Sequence, residues 1–193
     1  LYTDFNNQKY IDVIEKCDTY IIDFQGEPIV TKFEFLKALA IARVYGFKEY
    51  EKALTFIKLN YSSTIEGKEA ERILDDVLPT VKNDRFLKND LSDNYKIVYQ
   101  FDTVSNSDID SQITTLKKYI DKVDYLDLTV SEDFYNNIVT FVVVHGLKSY
   151  DGSLGLAERL ENSIDIQAKS FFVISTDNYK TIQIHKNLDK FEK

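Results

Sequence analysis

Apolar residues recur at helical spacing through the first 90 residues of the chain. In the first predicted helix they lie three or four positions apart, at Tyr10, Val13, Ile14, Cys17 and Ile21. The same spacing predicts three further helices: one from Thr31 to about Gly46, one from Gly46 to Asn60, and one over Glu66–Leu78. Thr31-x-x-Glu34 has the form of a capping box, and Pro79 is expected to end the fourth helix.

After residue 95 the pattern changes to strands that alternate with helices. Ile97, Tyr99 and Phe101 occupy every second position of Lys96–Asp102 and alternate with Lys96, Val98 and Gln100, which predicts a strand. The elements predicted after it are a helix with the stripe Ile109, Ile113, Leu116 and Ile120 and a cap at Ser107, a strand around Leu126, Leu128 and Val130, a turn over Glu132–Asn137, a central strand Ile138–Val144, a helix Ser149–Asn162, and a strand Phe171–Ile174. Within the central strand, Phe141 is expected to face the helices.

Together these elements predict an α+β protein with two domains. Residues 1–90 form antiparallel helical hairpins, and residues 95–193 hold the order β-α-β-β-α-β with a short tail. That order predicts a ferredoxin-like sandwich, in which two helices cover one face of a four-stranded antiparallel sheet. Because this fold supports many activities, it does not by itself indicate a function.

The helical half contains a weak internal repeat. Asn7–Ile14 and Phe47–Leu54 each place an aromatic residue just inside a helix, with an aliphatic pair three and four residues later. The offset of 40 residues exceeds the ~34 of a tetratricopeptide unit, so the half resembles a degenerate tetratricopeptide array. The alternative is an unrelated stack of helical hairpins. The chain begins in what looks like the middle of a helix, which we interpret as a fragment with more repeats upstream.

Charge and composition exclude several classes of partner. The net charge is −8, with 13 basic against 16 acidic residues in 1–90 and 11 against 16 in 91–193. Neither half is basic, so binding to nucleic acid or to an anionic membrane surface is disfavoured. There is no run of 18 apolar residues, so we expect no transmembrane span.

The residues that usually carry catalysis are sparse and scattered. His145 and His185 lie 40 positions apart, and the single Cys17 is expected to be buried in a helix over Asp12–Phe24. Ser153-x-Gly155 lacks the strand that precedes a nucleophile elbow. We therefore expect no enzyme activity, no metal site and no cofactor.

Four segments of the chain resemble one protein family. They are Phe172–Thr181, similar to a "FVIS-x-x-NY" segment, together with Tyr95–Val98, Val142–Val144, and a helical stretch from Tyr61 to Ala70 that contains Thr64, Gly67 and Lys68. These segments are similar to the C-terminal part of the large tetratricopeptide lipoproteins of the type 9 secretion and gliding-motility machinery (SprE/PorW-like). The tail Leu188–Lys193 departs from the family, which commonly continues with a helix rich in Tyr and Phe.

The resemblance implies a cell-envelope scaffold without a cofactor, held at the periplasmic side of the outer membrane by an N-terminus that lies outside this sequence. Partners would be proteins of the secretion and motility complex. Candidate protein-binding residues are the aromatic residues of the repeats and the polar-aromatic pair of the family segment: Tyr45, Phe47, Tyr50, Tyr61, Asn178 and Tyr179, of which several must be core. Asn178 is expected to cap a turn or helix. The alternative function is a periplasmic ligand-sensing or regulatory module in which the sandwich binds a small molecule.

Overall fold

The computed structural model describes residues 1–88, 92–103, 106–122 and 127–191, with side chains from Ile109 onward in the helix that begins at Asn106. It confirms a mixed helix and sheet architecture of the α+β class. The chain divides into two compact units. The helical unit is Leu1–Arg85 with Ile182–Lys193, and the αβ unit is Phe86–Thr181.

These units differ from the predicted domains 1–90 and 95–193, because the C-terminal residues belong to the helical unit. The His185 ring packs on Phe47 with 5.2 Å between centroids. Further along, the Asn187 amide donates to the backbone carbonyl of Asp84, and Lys190 pairs with the Asp84 carboxylate at 2.8 Å. These contacts join residues that are more than 100 positions apart, which periodicity along the chain does not reveal.

Helices of 14 to 16 residues, flanked by shorter ones, build the helical unit. In chain order the helices are α1 (Tyr2–Asn6), α2 (Tyr10–Asp23), α3 (Val30–Tyr45), α4 (Phe47–Asn60), α5 (Ile65–Arg72), a π-helical turn (Ile73–Val77) and α6 (Leu78–Val81). From α2 to α5, each helix packs against the next one in the chain. Ala38, Leu54, Ile57 and Ala70 are almost fully buried in their shared core.

The predicted fourth helix extends past its expected end. Pro79 lies in the first turn of α6, where a residue without an N–H is tolerated because that N–H has no partner within the helix. The prediction that Pro79 ends the helix was therefore wrong. A π-helical turn, Ile73–Val77, lies directly before α6.

The capping box predicted at Thr31 is also absent. Helix α3 begins at Val30, with Ile29 as its N-cap, so Thr31 already lies inside the first turn. Its hydroxyl instead donates to the Glu66 carboxylate at 2.9 Å. This bond joins α3 to α5, so Thr31 contributes a tertiary contact.

The αβ unit contains a four-stranded sheet with two of its helices on one face. Its elements are β1 (Tyr95–Asp102), α7 (Asn106–Ile120), β2 (Thr129–Phe134), β3 (Val139–Leu147), α8 (Tyr150–Ser163), β4 (Ser170–Ser175) and the start of α9 (Thr176–His185); the helical unit ends with α10 (Leu188–Phe191). The strand order is β2-β3-β1-β4, with every neighbouring pair antiparallel. The predicted order of elements is confirmed.

The helix-covered face holds the residues that the alternation in β1 predicted. Ile97, Tyr99 and Phe101 pack with Val142 and Val144 of β3 against the buried stripe of α7 and against α8. Since successive residues of a strand alternate between faces, Phe141 points away from these helices. The expectation that Phe141 faces them was wrong, although its side chain is fully buried.

Strand β2 lies several residues later than predicted, and Leu126 lies outside the described residues. Ser131–Phe134 belong to the strand, so the turn covers only the residues after Phe134. Asn136 stabilises that turn by accepting hydrogen bonds from the N–H groups of Ile138 and Val139. The polar sequence is compatible with a strand because β2 lies at the edge of the sheet.

Helix α8 begins one residue after the predicted start, and its capping residue is Ser149, whose hydroxyl accepts from the Gly152 N–H. Ser107 lies inside α7 rather than before it, and its side chain lies outside the described part of the chain. No helix within the described ranges combines the length and apolar character needed to cross a bilayer.

Candidate functional site

A groove runs along the surface of the helical unit where three consecutive helices meet. Its volume is about 780 Å³. One residue of α2, five of α3 and four of α4 line it: Ile14, Glu34, Lys37, Ala38, Ile41, Tyr45, Glu49, Lys52, Ala53 and Phe56. Ala38 and Ala53 have short side chains, and this leaves space at the junction of α3 with α4.

Two large aromatic side chains stand exposed in this groove. Tyr45 at the end of α3 is 54% exposed, and Phe56 in the middle of α4 is 47% exposed. The Phe56 ring meets the edge of Tyr61, with 6.2 Å between centroids. Exposed aromatic groups beside aliphatic ones are typical of surfaces that bind protein partners.

Of the charged groups that line the groove, three have partners of opposite sign. Lys52 bonds Glu49 one turn away at 2.7 Å, and Lys37 pairs with Asp18 of α2. Glu34 is half-buried, and burial raises the pKa of its carboxyl, while nearby Lys37 opposes that shift and Asp18 reinforces it. The groove is therefore lined by apolar side chains and by charged side chains of both signs.

The other candidate aromatics of the repeats are less exposed. Phe47 is buried in the core of the helical unit, where it contacts the His185 ring. Tyr50 and Tyr61 are partly buried against the same core, and burial raises the pKa of both phenols. Tyr45 is thus the predicted candidate that presents its ring most fully to the groove.

Asn178 and Tyr179 both lie buried in the αβ unit, near the start of α9. The Asn178 N–H bonds the Ser175 hydroxyl, which caps the helix, so Asn178 is not itself the capping residue. Its side-chain amide bonds the backbone of Leu87 instead. Tyr179 donates its hydroxyl proton to Asp133 at 2.6 Å and packs near the Phe141 ring. Neither side chain is presented for docking.

Tyr179 belongs to a polar network on the sheet face opposite α7 and α8. Lys96 Nζ lies 2.8 Å from His145 Nδ1, and His145 Nε2 lies 2.7 Å from Ser131 Oγ. The Ser131 hydroxyl donates to Asp133 at 2.8 Å. Five side chains from three strands and one helix are thereby joined in one chain of hydrogen bonds.

A β-bulge opposite Lys96 places His145 in this network. The register shifts there by one residue, between the pairs Tyr95 with Leu147 and Ile97 with Val144. Gly146 in the bulge has φ +94°, and a Cβ added to it would lie 2.4 Å from the Asp127 carbonyl oxygen. Only glycine fits this position, since both the backbone conformation and the space exclude a side chain.

The directions of these bonds determine the tautomer of His145. The Lys96 ammonium is a donor, so Nδ1 accepts and Nε2 carries the proton. Burial lowers the pKa of His145, with the Lys96 charge adding to the shift, and burial also lowers the pKa of Lys96. His145 is thus held neutral between a cation and a hydroxyl.

This arrangement does not match a nucleophile with its general base. A catalytic histidine accepts the serine proton, whereas Ser131 gives its proton to Asp133 and receives one from His145. Each polar atom of the network is occupied by another member. The network therefore stabilises this face of the sheet.

Cys17 is fully buried in α2, as predicted. Burial raises the pKa of its thiol to about 11, so the reactive thiolate is scarce at neutral pH. Across the described residues, no three His, Cys, Asp or Glu side chains converge as a metal site would require.

Sequence reasoning did not find the polar network or most of the groove. Ser131 follows the last residue of the predicted strand and Asp133 falls in the predicted turn, so the sequence does not indicate that they lie near His145. The groove residue Phe56 was missed because it lies outside the apolar stripe of its own helix. The sequence did contain one signal: an aromatic residue outside the apolar stripe of a helix is a candidate for an exposed contact.

Comparison with known proteins adds no family to this description. No protein-family model matches the chain, and no curated protein shows significant similarity to it.

Proposed function

We propose that this chain is a non-catalytic scaffold that binds other proteins through the groove of its helical unit. The observation that carries the proposal is the pair of exposed aromatic residues, Tyr45 and Phe56, beside the aliphatic side chains of Ile14 and Ile41. Grooves between packed helices commonly accept an apolar face of a partner segment, and aromatic anchors contribute most of the affinity.

We propose a known architecture for each of the two units of the scaffold. The helical unit is a tetratricopeptide-like array, supported by the sequential packing of α2 to α5 and by the small residues Ala38 and Ala70 in its core. The αβ unit is a ferredoxin-like sandwich, supported by its strand order and by two helices on one sheet face.

The proposal extends to a biological setting. The scaffold would serve in the assembly of a type 9 secretion and gliding-motility complex, on the periplasmic side of the outer membrane. Support for this setting comes from the resemblance of the segments around Tyr61–Ala70 and Phe172–Thr181 to proteins of that machinery. Its partners would be proteins of the same complex.

The alternative, a ligand-sensing αβ unit, receives less support. A sensing site needs polar groups that converge on a cavity and remain available to a ligand. In the αβ unit, the polar side chains Lys96, Ser131 and His145 bond one another. The exposed aromatic surface lies in the helical unit, and this favours protein binding.

Site-specific crosslinking tests the proposal in the source cells. A photoreactive benzoylphenylalanine replaces Tyr45 or Phe56 in the natural full-length protein, and Ile22 or Leu59 in matched controls that are exposed outside the groove. Labels in the groove should crosslink to a secretion or motility component, and the control labels should not. Equal crosslinking from all four positions, or none, would contradict the proposed use of the groove.

A further inference from the structure

Glu34 differs from the other charged residues that line the groove. Lys37, Glu49 and Lys52 are all in ion pairs. Among the described residues, Glu34 makes no hydrogen bond and no ion pair. It lies on α3 one turn before Lys37, which is engaged with Asp18.

The surroundings of Glu34 disfavour its charged form, and the nearby charge of Lys37 offsets only part of that cost. The side chain is half-buried, and the same groove is lined by Ile14, Ala38 and Ile41. A carboxylate that has lost part of its hydration without gaining a donor is destabilised. A cation brought to it would recover that free energy, because charge-assisted hydrogen bonds are stronger where water is excluded.

We propose that the groove binds a segment of a partner protein that carries apolar side chains and one Lys or Arg, and that this basic residue pairs with Glu34. Apolar side chains of the segment would contact Ile41 and Phe56, which lie on neighbouring helices of the groove. The inference rests on the proposed function of the same groove, and it adds the chemistry of the partner.

The overall charge supports a partner of this kind. The chain carries −8 at neutral pH, and complementary charge speeds the encounter with a basic segment. An acidic segment would be repelled by the net negative charge of the chain and by the carboxylate of Glu34. A purely apolar segment would bury Glu34 further without supplying a donor.

A displayed library of random 14-residue peptides tests this inference on the intact chain. Peptides are selected against the wild type, against Glu34→Gln and against Tyr45→Glu/Phe56→Glu. Glu15→Gln is the matched control, since Glu15 is exposed on α2 outside the groove. Circular dichroism checks that every variant is folded before selection.

Wild type and Glu15→Gln should enrich peptides with one basic residue among apolar ones. Changing that residue to Met should weaken binding about tenfold for the wild type and have little effect for Glu34→Gln. A peptide with Glu at that position should bind Glu34→Lys better than it binds the wild type. This exchange of charges would identify Glu34 as the direct partner.

The remaining outcomes separate the inference from the proposed function. Two outcomes would overturn the inference and leave the groove as a binding surface. In the first, the selected peptides need Tyr45 and Phe56 but contain no preferred basic residue. In the second, Glu34→Gln selects peptides with the same basic residue as the wild type does. No enrichment by the folded wild type, or equal enrichment by the double variant, would overturn both.

Discussion

The side-chain amide of Asn178 bonds the backbone of Leu87 in both directions. The Leu87 N–H donates to Asn178 Oδ1 at 2.7 Å, and Asn178 Nδ2 donates to the Leu87 carbonyl at 2.9 Å. The amide thus pairs with both backbone polar groups of Leu87, as a neighbouring strand would. It fixes the first residues of the αβ unit to the beginning of α9, across 91 positions of sequence.

Asn178→Ala should destabilise the protein by about 1–3 kcal/mol, because both backbone groups of Leu87 lose their partner. Asn178→Asp should also destabilise, since a carboxylate accepts from the N–H but repels the Leu87 carbonyl. Urea unfolding provides the measurement. Asn162→Ala is the control, because that amide bonds only its own helix and is exposed, so its effect should stay within about 0.5 kcal/mol. An equally small effect of Asn178→Ala would show that water replaces these bonds.

Gly67 should tolerate no side chain, whereas Gly155 should accept one. A Cβ at Gly67 in α5 would lie 1.9 Å from the Tyr61 carbonyl oxygen, while one at Gly155 in α8 would meet nothing within 4 Å. Gly67→Ala should therefore lower the free energy of unfolding by several times the gain from Gly155→Ala, which should be about 0.5–1 kcal/mol because alanine favours a helix. Thermal unfolding of both variants distinguishes them. A stabilising Gly67→Ala would mean that α5 does not approach Tyr61 closely.

Elements with a regular spacing of apolar residues were predicted correctly. The stripe from Ile109 to Ile120 corresponds to the buried face of α7. The alternation in β1 identified the residues that meet the helices, although the opposite face, with Val98 and Gln100, is buried as well. The predicted central strand Ile138–Val144 corresponds to β3, which begins one residue later at Val139 and continues to Leu147. Its face could not be predicted, because a strand that is apolar on both sides has no alternation to show which residues meet the helices.

Elements whose position depends on distant contacts were predicted less well. The prediction places strand β2 too early because Glu132 and Asp133 have the polar character of a turn, although they pair with β3. The prediction includes the residues from Ile182 onward in the αβ domain because their contacts with Asp84 and Phe47 are remote in sequence.

The candidate site shows the same limit. Composition suggested aromatic anchors, and Tyr45 is exposed in the groove. Composition could not separate it from Phe47, two positions later, which is buried because it begins α4 and faces the core. Likewise, Glu34 was read as a capping partner of Thr31, because its place in the groove depends on how α3 packs with α4.

Phe141→Ala should be among the most destabilising single changes, at about 3–5 kcal/mol. The ring is fully buried and stacks on Tyr135 with 4.6 Å between centroids, so its removal leaves a cavity. Urea unfolding gives the value. Ile138→Ala at an exposed position of the adjoining turn should change it by less than about 0.5 kcal/mol. A loss below about 1 kcal/mol for Phe141→Ala would show that this sheet face closes around the cavity.

The stability of the protein should rise with pH above neutrality because of Lys186. Burial, with the nearby Arg43 charge, lowers the pKa of its ammonium to about 7, from 10.5 for an unperturbed lysine. Between these values the unfolded chain holds a proton that the folded chain has released, so each pH unit adds at most about 1.4 kcal/mol to the free energy of unfolding. Below pH 7 both states are protonated and this contribution is constant.

Lys186→Met should therefore stabilise the protein, most strongly below pH 7, and should flatten the rise above it. Urea unfolding of the wild type and of Lys186→Met from pH 6 to 8.5 gives the difference between their free energies of unfolding. The titrations of all other groups cancel in this difference. Lys48→Met at an exposed position of α4 serves as the control and should leave the slope unchanged. Parallel pH profiles for wild type and Lys186→Met would show that Lys186 keeps its proton in the folded state, through the bond it donates to Gln183.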